Sequence, residues 1–325
     1  MARDLFEPAR DIPNLQGKVV LVTGGNAGVG KATVRAIAHH DPAKIYLCGR
    51  RPAAIEKAAA DLRSETHFDG IVTLEMDLGS LESVKKAANI VLDNETRLDL
   101  LFLNAGVAGT APALTKEGYE AQFGINHVGH AMLTQMLLPL LLSTQKIQSA
   151  DVRVVLTSSN AAFAPPMMLP SGGLDLDAMR RPDACSPMTL YSHSKLANVL
   201  FARKLAALYP SLSVTVVHPG VVKSEIWGKG AGGFVSMLLR PLMMAMWVSI
   251  DEGAKTQLWC ASVPRATQPK GTNKPTGVIS GAFYTPVGKL QPYKGVTAKT
   301  ELVDALWTWT TDELAKHGGP GWEGA

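Results

Sequence analysis

Short apolar runs recur along the first two thirds of the chain, each followed by a longer stretch in which apolar residues return every three or four positions. The runs occupy residues 18–23, 44–49, 71–76, 98–103, 152–157 and 213–218. They carry aliphatic and β-branched residues with little polar alternation, the pattern of parallel strands covered on both faces. The intervening stretches read as helices. In the first, residues 31–40, the inward positions are Val29, Ala32, Thr33, Ala36 and Ile37. A last helix is predicted over 299–317, containing Trp307 and Trp309, and the Pro- and Gly-rich residues 263–281 read as a surface loop. Alternating strands and helices predict βαβ units with right-handed crossovers, in which ligands bind at the carboxyl ends of the strands.

At the end of the first run stands Gly24-Gly25-Asn26-Ala27-Gly28-Val29-Gly30. Glycines allow a sharp turn and close backbone approach, and the helix start that follows offers free N–H groups to a pyrophosphate. The expected fold is therefore α/β, a Rossmann-type doubly wound parallel sheet with helices on both faces. The spacing is Thr-Gly-x-x-x-Gly-x-Gly, and a tight turn without a ligand is the competing reading of this motif alone. No repeat or linker divides the chain, so residues 1–325 are expected to form one domain, with a core at 17–224 and a covering segment at 225–325.

A second constellation carries chemistry. Tyr191 and Lys195 are four positions apart in a helical stretch, so both side chains point the same way. An ammonium beside a phenol favours phenolate and is expected to lower the tyrosine from its usual value of about 10. Ser159 lies upstream at the end of a strand. By itself, a Tyr-x-x-x-Lys pair is as easily an ordinary helix surface.

Composition narrows the function. With 325 residues, 46% hydrophobic and 18% charged, the chain can bury a large core and is not disordered. Its charge of +4 is spread without a basic stripe, which argues against nucleic-acid binding. Cys48, Cys185 and Cys260 are odd in number and far apart, and are expected to be reduced thiols. His127 and His130 lack cysteine or carboxylate partners nearby, so no metal site is expected, and His193 and His218 read as structural. The first 16 residues have no signal-peptide core. Residues 234–250 are apolar, but they are 17 in number and broken by Arg240-Pro241, against about 20 needed to span a bilayer. They read as a substrate lid, with shallow membrane contact as the rival.

Further motifs stand in order: Asp77-Leu78, Asn104-Ala105-Gly106, Asn126-His127-Val128-Gly129-His130, Ser158-Ser159, and His218-Pro219-Gly220-Val221-Val222-Lys223-Ser224. Together with the glycine loop and the Tyr191–Lys195 pair, they make the chain resemble the short-chain dehydrogenase/reductase superfamily, most closely its retinol-dehydrogenase-like branch, over residues 17 to about 262. The resemblance implies a catalytic set of Asn126, Ser159, Tyr191 and Lys195. Tyr191 would be general acid and base, Ser159 a donor to the substrate oxygen, Lys195 the holder of the nicotinamide ribose, and Asn126 the anchor of a water in a proton relay. Gly24, Asn26, Ala27, Gly28, Val29 and Gly30 would line the coenzyme phosphates, Asp77 and Leu78 the adenine, and Asn104, Ala105 and Gly106 its ribose. Pro219, Gly220, Val222 and Ser224 would face the nicotinamide carboxamide, Ser224 standing where threonine is common.

Coenzyme choice is read from charge. The second strand ends in glycine and then Arg50-Arg51 where an NAD site usually has an acid, so NADP(H) is expected, with Arg50 on the 2′-phosphate and Arg51 a lesser candidate. A solvated arginine pair is the alternative. Ser159 and Tyr191 lie farther apart than is usual in the family, and the insert supplies Phe163, Met167 and Met168. With Phe234, Met237 and Trp247 from the lid, these are expected to form an apolar cavity for a small lipophilic carbonyl or alcohol. The expected activity is NADPH-dependent hydride transfer in the cytoplasm, with a non-catalytic nucleotide-sensing or scaffold protein as the alternative and an epimerase or dehydratase as a weaker one. The family's common homodimer uses the helices carrying Asn126 and Tyr191, although the insert could block it.

Overall fold

The computed structural model describes residues 6–164, 172–222, 247–266 and 277–324. All six predicted strands form: β1 (Val19–Thr23), β2 (Lys44–Gly49), β3 (Ile71–Glu75), β4 (Leu100–Leu103), β5 (Arg153–Thr157) and β6 (Ser213–Val217). Short β7 (Val221–Val222) and β8 (Trp247–Val248) pair with each other, and β9 (Phe283–Thr285) and β10 (Lys289–Gln291) extend the main sheet. The order is β10-β9-β6-β5-β4-β1-β2-β3. Every neighbouring pair is parallel except β9 with β10. This hairpin was not expected from the sequence, because three-residue strands are too short to show a period.

The long helices are α1 (Gly28–Ala38), α2 (Pro52–Thr66), α3 (Leu81–Asn94), α4 (Gly129–Gln145), α5 (Pro187–Leu208), α6 (Ile250–Ser262) and α7 (Thr300–Lys316). Successive strand side chains point to opposite faces, and this divides the core. Val20, Val22, Ile45 and Leu47 join one apolar cluster with residues of α1, α2 and α6. Val19, Leu21, Tyr46 and Cys48 join the other, with α3, α4, α5 and α7. A sheet sandwiched in this way explains why its inner strands read as continuous apolar runs, while the edge strand β3 is exposed at Val72 and Glu75.

Local signals set the helix starts. Ser80, Ser186 and Ser249 cap α3, α5 and α6, each accepting from the backbone N–H three residues on. The first helix departs from expectation. It begins at Gly28, ahead of residue 31, and its buried face includes Val34, while Val29 and Ala36 are only partly covered. The helix forecast over 299–317 is α7, which packs on α5. There Trp307 stacks on Phe201 with ring centres 5.6 Å apart, and Trp322 folds back against both rings. No described helix is long and apolar enough to cross a membrane. Residues 223–246, which hold most of the expected lid, lie outside the described residues, as do residues 267–276 of the expected surface loop.

Truncating Trp307 should leave a cavity between α7 and α5. Trp307→Ala is expected to cost about 3–5 kcal/mol, read as a lower urea midpoint at unchanged slope.

Candidate active site

Four strand ends and three helices converge at the carboxyl edge of the sheet, and buried hydrogen bonds fix their relation. β1 ends in Thr23, whose buried hydroxyl oxygen accepts from the backbone N–H groups of Asn104 and Ala105, both at 2.9 Å. The Asn104 amide returns a bond to the Thr23 carbonyl at 2.9 Å. The turn after β1 is thus joined to the turn after β4. Gly24 adopts φ +65°, and a Cβ there would come within 3.1 Å of the Ala105 Cα. At Gly30 a Cβ would fall 2.2 Å from the Gly24 carbonyl oxygen. These contacts give a physical reason for glycine at both positions. The residue before α1, Ala27, supplies no side-chain cap, so the helix start offers its N–H groups to an anion. The residues therefore fit a dinucleotide pyrophosphate.

Asn126 sits in a π-helical turn, Gly124–Val128, immediately before α4. Such turns widen a helix locally and occur often at functional sites. Its side chain accepts from the Val107 N–H at 2.8 Å and donates to the Val107 carbonyl at 2.9 Å and the Ser194 hydroxyl at 2.9 Å. Its carbonyl oxygen lies 3.0 Å from His130 Nδ1. A carbonyl only accepts, so Nδ1 carries the proton, and Nε2 faces the Thr23 hydroxyl at 2.9 Å as acceptor. Burial lowers His130 to about 4, which keeps this ring neutral at ordinary pH. Sequence reading dismissed His130 as unsuited to a metal; its connecting role follows only from where α4 crosses β1.

Tyr191 and Lys195 both lie on the buried face of α5. Lys195 is 3% exposed, and its ammonium donates to the Thr157 carbonyl at the end of β5, at 3.0 Å. It lies 5.6 Å from the centre of the Tyr191 ring. Gly106 is close by, since a Cβ on it would reach within 3.3 Å of the ammonium and 3.1 Å of Asn126 Oδ1. Burial lowers Lys195 to about 8. Burial also raises Tyr191 to about 12, with a hydrogen bond to Ser159 acting in the opposite direction. This corrects the expectation that the ammonium lowers the phenol: the amine donates to Thr157, and desolvation of the phenolate dominates.

The two adjacent serines behave differently. Ser158 is buried and donates to the Lys195 carbonyl at 2.8 Å, whereas Ser159 hydrogen-bonds Tyr191 and caps the short turn Asn160–Phe163. Asp77 accepts from Gly79 N–H at 2.9 Å, and Ser80, not Asp77, caps α3. Leu78 is buried, its carbonyl oxygen packed where Gly129 has no Cβ. Gly220 has φ +91°, and a Cβ there would meet Val248; Val222 pairs with Val248 and is buried. Ser224 lies outside the described residues.

At the end of β2, a Cβ on Gly49 would fall 2.7 Å from Asn26 Oδ1 and 2.6 Å from Ile55 Cγ2. Arg50 and Arg51 are exposed. Arg51, with Asn26, Ala27, Lys31 and Lys57, lines a groove of ≈ 270 Å³ beside the glycine loop, and Arg50 is not among the lining residues. Of the expected substrate residues, Phe163 packs edge-on against Phe283 with ring centres 5.0 Å apart, so it serves the core at least in part. Trp247 is half-buried in β8. Met167, Met168, Phe234 and Met237 lie outside the described residues.

Comparison with known proteins agrees with this geometry. A family model for short chain dehydrogenase matches residues 18–171. A short-chain dehydrogenase/reductase of Armillaria gallica is 36% identical over 306 residues, spanning 92% of this chain and 91% of that protein. Retinol dehydrogenase 12 of Mus musculus is 37% identical over 249 residues, spanning 76% and 74% respectively. Among solved structures, NADPH-bound carbonyl reductase from chicken fatty liver shares the fold, with a TM-score of 0.61 at 20% identity over 88% of this chain and 98% of that one.

Removing the Thr23 hydroxyl would orphan the N–H groups of Asn104 and Ala105. Thr23→Val is expected to lower stability by about 1–3 kcal/mol, measured by chemical denaturation.

Proposed function

The chain belongs to the short-chain dehydrogenase/reductase family of oxidoreductases, and from that premise we propose that it transfers hydride between NADP(H) and a hydrophobic ketone or aldehyde, or the corresponding alcohol. The observation that carries this reading is the convergence of Ser159, Tyr191, Lys195 and Asn126 at the carboxyl ends of β4 and β5 beside an uncapped helix start. When bound, the reduced nicotinamide supplies the hydride.

Tyr191, raised to about 12, holds its proton at neutral pH and can give it to the alkoxide that forms on the substrate. Ser159, hydrogen-bonded to the phenol, is the second donor aimed at that oxygen. Lys195, at about 8, is mostly charged at neutral pH and would hold the ribose hydroxyls. Asn126 would anchor a water linking Lys195 to solvent. A scaffold or nucleotide sensor has no need of a buried proton donor beside a buried amine.

The preference for NADP(H) is supported at the end of β2. An acidic side chain at position 49 would collide with Asn26 and Ile55, while two exposed arginines follow. Arg50 is the proposed partner of the 2′-phosphate, with Arg51 and Asn26 beside it. Asp77, Leu78, Asn104, Ala105 and Gly106 are assigned to the adenosine half, and Pro219, Gly220, Val222 and Ser224 to the nicotinamide. A lipophilic substrate is supported by the likeness to retinol dehydrogenase 12 and by the apolar composition of residues 234–250. Those residues are proposed to cover the substrate, with shallow contact to lipid and homodimer formation as further features of the same reading.

Tyr191→Phe should abolish turnover across a panel of lipophilic ketones, aldehydes and alcohols, followed by NADPH absorbance, while leaving NADPH binding within about twofold of the parent. Parent protein that consumes NADPH with no member of the panel would favour the sensor reading. Arg50→Asp should raise KM for NADPH at least about tenfold and leave KM for NADH little changed; an unaltered preference would refute the role of Arg50.

A further inference from the structure

Gln257 lies on the inward face of α6, 1% exposed, although its helical neighbours Ala254, Leu258 and Ala261 on that face are apolar. Its amide is fully engaged. Gln257 Nε2 donates to the Thr33 hydroxyl and, at 3.5 Å, to Asn104 Oδ1. Its Oε1 accepts from the Thr157 hydroxyl at 3.1 Å. Each partner leads onward. The Thr33 hydroxyl donates to the Val29 carbonyl at 2.8 Å, in the first turn of α1. The Asn104 amide holds the Thr23 carbonyl, and the carbonyl of Thr157 receives the Lys195 ammonium at 3.0 Å. One buried side chain therefore joins the helix start that fits the pyrophosphate, the turn after β4 and the residue that docks the lysine.

We propose that Gln257 is a positioning residue, which sets the glycine-loop helix and the Thr157 carbonyl in register so that coenzyme phosphate and the Lys195 amine are held at a fixed separation. The proposal rests on the reading of Lys195 given above. An apolar residue at this position would fill the core equally well, and burying an amide is unfavourable unless its bonds are made. Around Lys195 the other ionisable groups are Tyr191 on the same helix, His130 from α4 and His218 after β6, and burial keeps both imidazoles uncharged, at about 4. The Thr157 carbonyl, at 3.0 Å, is an acceptor that the charged form of the amine can use.

Gln257→Met keeps length and volume but removes donor and acceptor. Its NADPH dissociation constant, read by coenzyme fluorescence, should rise about tenfold, and KM for the carbonyl substrate should stay unchanged. The alkaline limb of the kcat profile should move to lower pH by about half a unit, because a loosened Thr157 carbonyl favours the ammonium less. Thr33→Val should reproduce the weaker NADPH binding alone, and Thr157→Val the displaced limb alone. These two variants judge the proposal even if Gln257→Met does not fold. Folded variants with lower Tm but unchanged NADPH affinity and pH profile would overturn it. If the parent binds NADPH but turns over no substrate, the proposed activity fails while the affinity measurements still decide the role of Gln257. A parent that binds no NADPH overturns both.

Discussion

An ammonium group inside a protein must find acceptors or lose its proton, and the placement of Lys195 turns on that constraint. Its partner is the carbonyl of Thr157, the last residue of β5, which also accepts from the Asn198 amide at 3.3 Å. Room for the amine comes from Gly106, and Asn126 closes the other side by bonding Val107 through both its oxygen and its nitrogen. Burial moves the lysine down and the tyrosine up, so the two groups start from a charged amine and a neutral phenol at pH 7. That is a suitable starting state for donating a proton to an alkoxide.

The same edge of the sheet is organised by hydroxyls and amides that are buried or, at Asn104, partly buried. Thr23, Asn104, His130, Thr157 and Gln257 are linked by direct bonds from β1 across β4 to β5 and out to α4 and α6. Such a network is rigid only when each member is satisfied, and here the neutral tautomer of His130 follows from its neighbours. The glycine loop is set against this frame by backbone and sterics, since Gly24 holds φ +65° close to Ala105 and Gly30 leaves no space for a Cβ. Close backbone approach and free N–H groups then coexist at the start of α1.

The second face is closed differently. Helix α7 brings Trp307 and Trp309 over α5 and the segment around Tyr119 and Phe123, and Glu313 receives the Tyr119 hydroxyl at 2.9 Å. Tryptophan and tyrosine contribute large apolar areas with polar ends that still find partners. The helix that carries Tyr191 is thereby covered along much of its length by the chain's own last helix, which makes it a fixed support for the residues at its other face.

Much of this was legible in the residues. Apolar runs gave β1 to β6, the inner strands because both their faces are buried, whereas the edge strand β3 alternates in burial, and the glycine loop marked α1 because only glycine fits the approach it requires. The one-turn spacing of Tyr191 and Lys195 put them on one helix face, and that face is buried. Other features depended on contacts distant in sequence. The β9–β10 hairpin is too short to show a period, and Gln257 looked like one polar residue among many until the fold set Thr33, Asn104 and Thr157 around it. The direction in which Tyr191 is displaced was also decided by tertiary structure. Spacing says that an amine is near a phenol, but desolvation and the choice of acceptor for that amine, which local sequence does not contain, determine which charge the interior tolerates.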